Sequence, residues 1–303
     1  MTHGQGLRFL AVFMEVEMAI SAAVVKELRE KTGAGMMDCQ RALAEANGDM
    51  EEAVKILRKK GLSAAAKKAG RTAKDGLVAI AVIEDGLRGG MVELNCETDF
   101  VARTEQYQAL VQALADQVAA DGVGDAEKVK AMRSIADPLH TVAEVIASQI
   151  ATIGENIQLS RAGFLAAGGG MKIGSYLHMG GKIGVLVEIS AGADEETVKD
   201  VAMQIAAAEP RWVSPADVPA AAVAEEREIA KAQAAGSGKP EAVIEKIAEG
   251  KVAKFYEQVC LLEQPFVKDP AKKLSAVLAE RGGVAVKGFL RFKLGEGAAA
   301  AQQ

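Results

Sequence analysis

The sequence predicts an α+β protein with a helical front end. Three observations carry that prediction. Apolar residues recur at helical spacing through residues 20–60, and from Gly76 the period becomes that of a strand. A hairpin followed by a helix then occurs twice. Two charged amphipathic patterns interrupt the second occurrence before a last strand-like run.

The first helical pattern carries Val24, Val25 and Leu28 and ends at Gly33 after Lys31. Gly33-Ala34-Gly35 reads as a turn. The second runs from Met36 through Cys39, Leu43 and Ala46 to Asn47-Gly48. Asp49 is placed to cap the third, whose Ala53, Val54, Ile56 and Leu57 face inward. Three helices in so short a stretch bury only a small core, of marginal stability by itself. A basic segment follows, with Lys55, Arg58, Lys59, Lys60, Lys67, Lys68, Arg71 and Lys74. It reads either as a solvated helix and linker or as a docking surface for an acidic partner.

Leu77 to Ile83 and Met91 to Leu94 are strand-like, with Asp85-Gly86 and Gly89-Gly90 as turn signals between them. A helix is expected from about Glu105 to Ala120, with Tyr107, Leu110, Val111, Leu114 and Val118 inward. After the Asp121–Asp125 loop, more helix is expected through Ile135 and across Val142, Val145, Ile146 and Ile150. The arrangement then recurs. Ile173–His178 and Ile183–Ile189 flank a Met179-Gly180-Gly181-Lys182 turn, and a helix capped by Asp194 carries Val198, Val201 and Ile205. This is an internal duplication of architecture.

Ser214-Pro215 and Pro219 open a charged helix, Ala220 to Ala235. Gly236 to Pro240 is a turn, and a second helix runs to about Val259, giving an antiparallel helical hairpin expected to project. Pro265-Phe266-Val267 is extended, Leu274 to Ala279 is helix, and Val284 to Phe292 is a last strand.

Between the strand-like Gly90–Asn95 and the helix at Tyr107 lies Cys96-Glu97-Thr98-Asp99-Phe100-Val101-Ala102-Arg103. Thr98 and Asp99 are residue types that cap a helix start. Phe100 therefore falls on the turn from strand to helix. On residue type alone it reads as core and Asp99 as a cap. His178, at a strand end before a Gly turn, reads equally as an ordinary surface histidine or as a contact residue. The second copy has Ser190-Ala191-Gly192-Ala193 where the first has Glu97-Thr98-Asp99-Phe100, so the scaffold does not itself require an aromatic there.

Apolar residues make up 50% of the 303, enough for a substantial core, and the net charge is −5. That balance disfavours direct nucleic-acid binding as the main role. Cys39, Cys96 and Cys260 lie far apart, a reduced intracellular pattern with no zinc ligand set. No apolar run reaches the ~18 residues of a membrane span. Residues 1–17 read as a non-native extension. Met18 stands directly before the first helical pattern, and Met14–Met18 can be back-translated to a ribosome-binding sequence.

Chemistry is sparse. Gly180-Gly181-Lys182 lacks the upstream Gly and the Ser/Thr of a phosphate cradle, and Gly168-Gly169-Gly170 precedes a strand rather than a helix. No Ser, Cys or Lys sits in a nucleophile motif. Acidic residues read as lying mostly on exposed helix faces. These points favour a binding protein over an enzyme, with no cofactor and no metal.

Four segments, in order, resemble one family. Val25-Lys26-Glu27-Leu28-Arg29-Glu30-Lys31-Thr32-Gly33-Ala34-Gly35-Met36-Met37-Asp38-Cys39 is similar to the N-terminal signature of bacterial elongation factor Ts. Asn95 to Ala102 is similar to its second signature, and Gly174–His178 and Gln264–Val267 also match. The resemblance covers about Met18 to Gly297. It implies a guanine-nucleotide exchange factor for the translational GTPase elongation factor Tu, acting in the cytoplasm. It implies that the three-helix module is ubiquitin-associated-like and that the helical hairpin is an inserted coiled coil. It also implies partner-contact roles for Thr98, Asp99, Phe100 and Val101, which disturb the magnesium and phosphate site, and for His178, Met36 and Met37. Some members carry a further C-terminal helical module, which is not expected after Leu294.

The expected division is therefore an extension (1–17) and a three-helix domain with basic linker (18–72). A first core subdomain (73–171) and a second (172–212 with 259–294) follow, the latter interrupted by the coiled-coil hairpin (213–258), with a disordered tail (295–303). A homodimer or higher assembly could form through the core or the coiled coil. Two rival readings remain. One is an adaptor that uses the three-helix module for ubiquitin-like or nascent-chain partners, and the other is an enzyme using Cys96 or His178.

Overall fold

The computed structural model describes residues 21–235 and 240–296. The expected extension, the turn at 236–239 and the tail from 297 lie outside the described residues.

Three helices open the fold: α1 (Ala22–Thr32), α2 (Met36–Glu45) and α3 (Met50–Lys68). Ser21 caps α1 by accepting from the Val24 amide, and Gly33 ends it at φ 64°, a left-handed stop that glycine adopts freely. Asp49 caps α3 by accepting from the Glu52 amide at 2.9 Å. Val25, Leu28, Cys39, Leu43 and Ala53 form their shared core.

The basic segment has partners within the chain. The Arg58 guanidinium pairs with Glu144, Lys60 with Glu45 at 2.9 Å, and Lys68 donates to the Ile150 carbonyl at 3.2 Å. Helix α3 thereby lies along α7 (Val142–Ile153), where Gly61 is buried against the backbone of Ala147 and Ser148. Part of the stretch read as linker or partner-docking surface is thus a helix that docks on its own core.

The first sheet is antiparallel, in the order β1 (Asp75–Ile83), β2 (Arg88–Cys96), β3 (Gln158–Ala166). Gly89-Gly90 lies inside β2 and is not a turn. A Cβ on Gly90 would sit 2.4 Å from the Ala119 nitrogen of the covering helix, so the glycine allows close approach of helix and sheet. Between β2 and β3 run a one-turn helix α4 (Asp99–Ala102), then α5 (Glu105–Asp121), α6 (Ala126–Ala131) and α7. Helix α6 stops at Ala131, and the expected continuation through Ile135 is replaced by a loop closed by an Arg133–Thr141 bridge.

The second sheet is also antiparallel: β4 (Met171–His178), β5 (Ile183–Ser190), β8 (Val286–Lys293). Helix α8 (Glu195–Ala208) covers it. Helices α9 (Ala220–Ala235) and α10 (Glu241–Val259) pack on each other, bridged by Arg227 and Lys231 to Glu245 at 3.1 and 2.7 Å. A small ribbon, β6 (Pro265–Phe266) with β7 (Asp269–Lys273), and α11 (Leu274–Glu280) lead back to β8.

The two sheets stack face to face. Val78 and Met91 of the first meet Ile173, Leu186 and Phe292 of the second. Gly184 lets them close, since a Cβ there would lie 2.5 Å from Val78 Cγ1 and 2.9 Å from Met91 Sδ. The layers are helix, sheet, sheet, helix, an α+β fold. The duplication reaches single residues. In each sheet an edge strand bulges beside a buried glutamate of the central strand: Ser160 is the extra residue of β3 beside Glu93 of β2, and Lys287 that of β8 beside Glu188 of β5. The two glutamates, with the 2% exposed Asp200, are the buried acidic side chains among the described residues. Each has a basic partner: Arg161 for Glu93, Lys287 for Glu188, and Arg281 and Lys268 for Asp200.

Candidate functional site

The site is the connection between β2 and α5. It exists because the first copy has a longer link than the second. β5 ends at Ser190 and Asp194 already caps α8, whereas β2 ends at Cys96 and α5 is not capped until Thr104. Residues 97–103 therefore have no full counterpart in 191–193, and the residue-for-residue matching of Ser190–Ala193 to Glu97–Phe100 does not hold. The extra length forms α4. Thr98, not Asp99, is its cap: the Thr98 hydroxyl accepts from the Val101 amide at 3.4 Å. Asp99 is the first helical residue, and its carboxylate takes the Arg103 guanidinium at 2.7 Å, one turn on.

On this frame Phe100 is 78% exposed. The reading of it as core from residue type alone is overturned. Ala102 and Val101 face inward, so the short helix has its own anchor, and Phe100 is the residue left on the outer side. Single exposed apolar side chains are common, so it is the bracing of the turn behind the ring that sets this one apart.

The turn is held from behind by Glu155. One carboxylate oxygen accepts from the Glu97 and Thr98 amides, each at 3.0 Å, and the other accepts from the Thr98 hydroxyl at 2.6 Å. Glu97 in turn accepts from the Asn156 amide at 2.7 Å and lies 3.5 Å from Arg71. Asn156 donates to the Arg71 carbonyl at 2.7 Å. The end of the three-helix unit, the β2 exit and the β3 entry are thus knotted together behind Phe100. Sequence reasoning missed Glu155. Its partners are far away in the chain, and nothing local distinguishes it from a surface glutamate.

Cys96 closes the strand. It is buried, its thiol donates to the Thr98 carbonyl at 3.1 Å, and burial pushes its pKa up to about 11. A thiol so protonated is a poor nucleophile, which counts against the enzyme reading. Tyr107, fully buried below it, donates to the Leu94 carbonyl at 2.6 Å.

His178 is exposed at the end of β4, and its Nδ1 lies 3.0 Å from the Tyr176 hydroxyl, with the rings stacked. The structure brings this strand end to the Phe100 end of the molecule. Val78 donates its amide to the Gly181 carbonyl at 2.7 Å, and Lys182 reaches Asp75 Oδ1 at 3.4 Å and the Gly76 carbonyl at 3.3 Å. Asp75 pairs with Cys96 in the first sheet. The turn after His178 is therefore clamped to the strand beside the one from which the Phe100 turn springs. Met36 and Met37 open α2 on the three-helix unit, both exposed. Among the described residues, no hydrogen bond or ion pair links α2 to the Phe100 turn.

Among the described residues there is no group of three or more His, Cys, Asp or Glu that could hold a metal, and no helix is long and apolar enough to cross a membrane. What the turn presents outward is the Phe100 ring on a backbone held from behind.

Comparison with known proteins gives the family. A family model described as elongation factor TS matches residues 97–296, which span the turn, His178 and the α9–α10 hairpin. The elongation factor Ts of Clostridium perfringens strain SM101 is 46% identical over 287 residues, covering 92% of this chain and 94% of the relative. Those of strains ATCC 13124 and 13 are equally similar, 46% over 287 residues. With a family model matched over residues 97–296 and this extent of identity, the chain belongs to the elongation factor Ts family.

Proposed function

We propose that the chain is a guanine-nucleotide exchange factor for elongation factor Tu, promoting GDP release during translation elongation. The observation that carries the reading is Phe100, an exposed ring on a turn braced from behind, in a chain of this family. In this reading Thr98–Val101 presses on the nucleotide domain of the GTPase and disturbs its magnesium and phosphate site from outside. His178 touches the same partner from the second sheet, and Met36 and Met37 touch it from the first unit.

The energetics suit such a role. A ligand shifts an equilibrium only by its differential affinity for the two states. An exchange factor must therefore bind the nucleotide-free GTPase better than the loaded one, and nucleotide weakens its binding by the same factor. Burying one Phe side chain is worth roughly 1.5–3 kcal/mol, or one to two decades. A strong effect needs further contacts. A braced turn helps, because little ordering entropy is lost when it docks.

The remaining assignments are part of the same proposal. The three helices of residues 18–72 serve as a ubiquitin-associated-like docking module, and the hairpin of 213–258 as a coiled-coil arm. Residues 73–171, and 172–212 with 259–294, act as the two core subdomains. The role is binding rather than chemistry, and its place is the cytoplasm. Family membership disfavours the adaptor alternative, which needs only the three helices.

The test is direct. Elongation factor Tu loaded with fluorescent GDP is mixed with the full chain and excess unlabelled nucleotide. Acceleration of release at catalytic amounts of the chain is the expected result. Release no faster than without it would remove the proposal.

A further inference from the structure

Met179 is the first residue of the turn that follows His178. It is 70% exposed, and it lies at φ 50° in the left-handed region that disfavours side chains. Gly180 and Gly181 follow at φ 63° and 91°. Three successive residues thus take a glycine-like backbone, and only the first carries a side chain. Neither the turn geometry nor internal packing accounts for it, since Met179 belongs to none of the apolar clusters among the described residues. The unusual placement is nevertheless fixed, because Gly181 and Lys182 fasten the turn to Val78, Asp75 and Gly76.

Leu177 is 45% exposed and stands opposite Gly184 in the β4–β5 pair. Directly opposed residues share a face, and Gly184 faces Val78 and Met91 of the first sheet. Leu177 therefore lies on the seam-facing side of its sheet, directly before the turn that is clamped to Val78, Asp75 and Gly76 of the first sheet.

We infer that Met179, with Leu177 beside it, is a second apolar contact for the GTPase that Phe100 engages. The inference rests on the exchange-factor reading. Neither side chain offers a charge or a strong hydrogen-bonding group, so the surface they meet is an apolar depression on the partner. The flexible thioether suits such a surface. The role is affinity for the partner rather than disturbance of the nucleotide.

The experiment compares saturation curves for GDP release with the wild-type chain, Met179→Gly and Met179→Leu, together with their melting temperatures. For Met179→Gly we expect about a tenfold rise in the concentration giving half-maximal exchange. The maximal rate should stay near wild type, and the melting temperature should be equal or higher because the left-handed strain is gone. Met179→Leu should restore most of the affinity. Half-saturation unchanged in Met179→Gly would overturn the second contact while the exchange reading stands. A wild-type chain that fails to speed release would overturn both.

Discussion

At Phe100 the side chain and the backbone answer to different demands. The backbone is fixed by Thr98 and by the inward-facing Val101 and Ala102, whereas the ring touches little of its own chain. Phe100→Ala should therefore leave the melting temperature almost unchanged, as for most exposed substitutions. Loss of roughly 1.5–3 kcal/mol of partner burial predicts a ten- to hundredfold fall in exchange efficiency, read by fluorescent-GDP release. A fall in melting temperature with exchange intact would show that the ring serves the fold. At this scale the sequence was readable in type but not in direction. Thr and Asp before an apolar run announced a helix start, yet which of them caps depends on where the chain leaves β2. Exposure of Phe100 could not be read from residue type, because an aromatic in a strand-to-helix link is more often buried.

Between residue and molecule lies the braced link. Glu155 gathers three donors from Glu97 and Thr98, so it determines how rigid the Phe100 turn is. Glu155→Ala leaves two backbone amides and a hydroxyl without their acceptor. A loss of about 1–3 kcal/mol of stability is expected by denaturant titration. Exchange should fall about tenfold as well, because a loosened turn must be ordered on binding. A stable variant with full exchange would show that bracing does not matter. Most helices, and five of the six strands in the two three-stranded sheets, were legible from period and caps. Strand β3 was not. Its Arg161 and Gly163 break the alternation, since Arg161 is there to meet the buried Glu93 at 2.6 Å and Gly163 to admit Leu290 and Phe292. Strand β7, Asp-Pro-Ala-Lys-Lys, is exposed throughout and carries no apolar signal at all.

For the whole molecule, the seam between the sheets decides how the two turns stand relative to each other. Gly184→Ala would place a methyl against Val78 and Met91, and the sheets would have to part. We expect a stability loss of about 1–3 kcal/mol in thermal or denaturant unfolding. Exchange should weaken too, since Phe100 and His178 lie on opposite sides of the seam. Full stability in that variant would mean the seam yields more easily than its packing suggests. Both sheets were foreseeable as hairpins with a covering helix. That they stack on each other was not, because the residues that meet are spread over all six strands, and of the glycines that allow it Gly89 looks like a turn signal while Gly184 is an unmarked residue inside a strand.

The last strand has a consequence for how the molecule is made. The first sheet is complete once Ala166 has left the ribosome, whereas β5 must wait for Val286–Lys293 before its second neighbour exists. At ordinary rates of synthesis, about 5–20 residues per second, that wait is roughly 5–20 s. During it the apolar face that Val78 and Met91 present is available to Ile173 and Leu186, which pack on it in the folded chain. The Gly295 amide reaches Glu93 at 2.8 Å, so the end of the described chain is fastened to the sheet that is synthesised first.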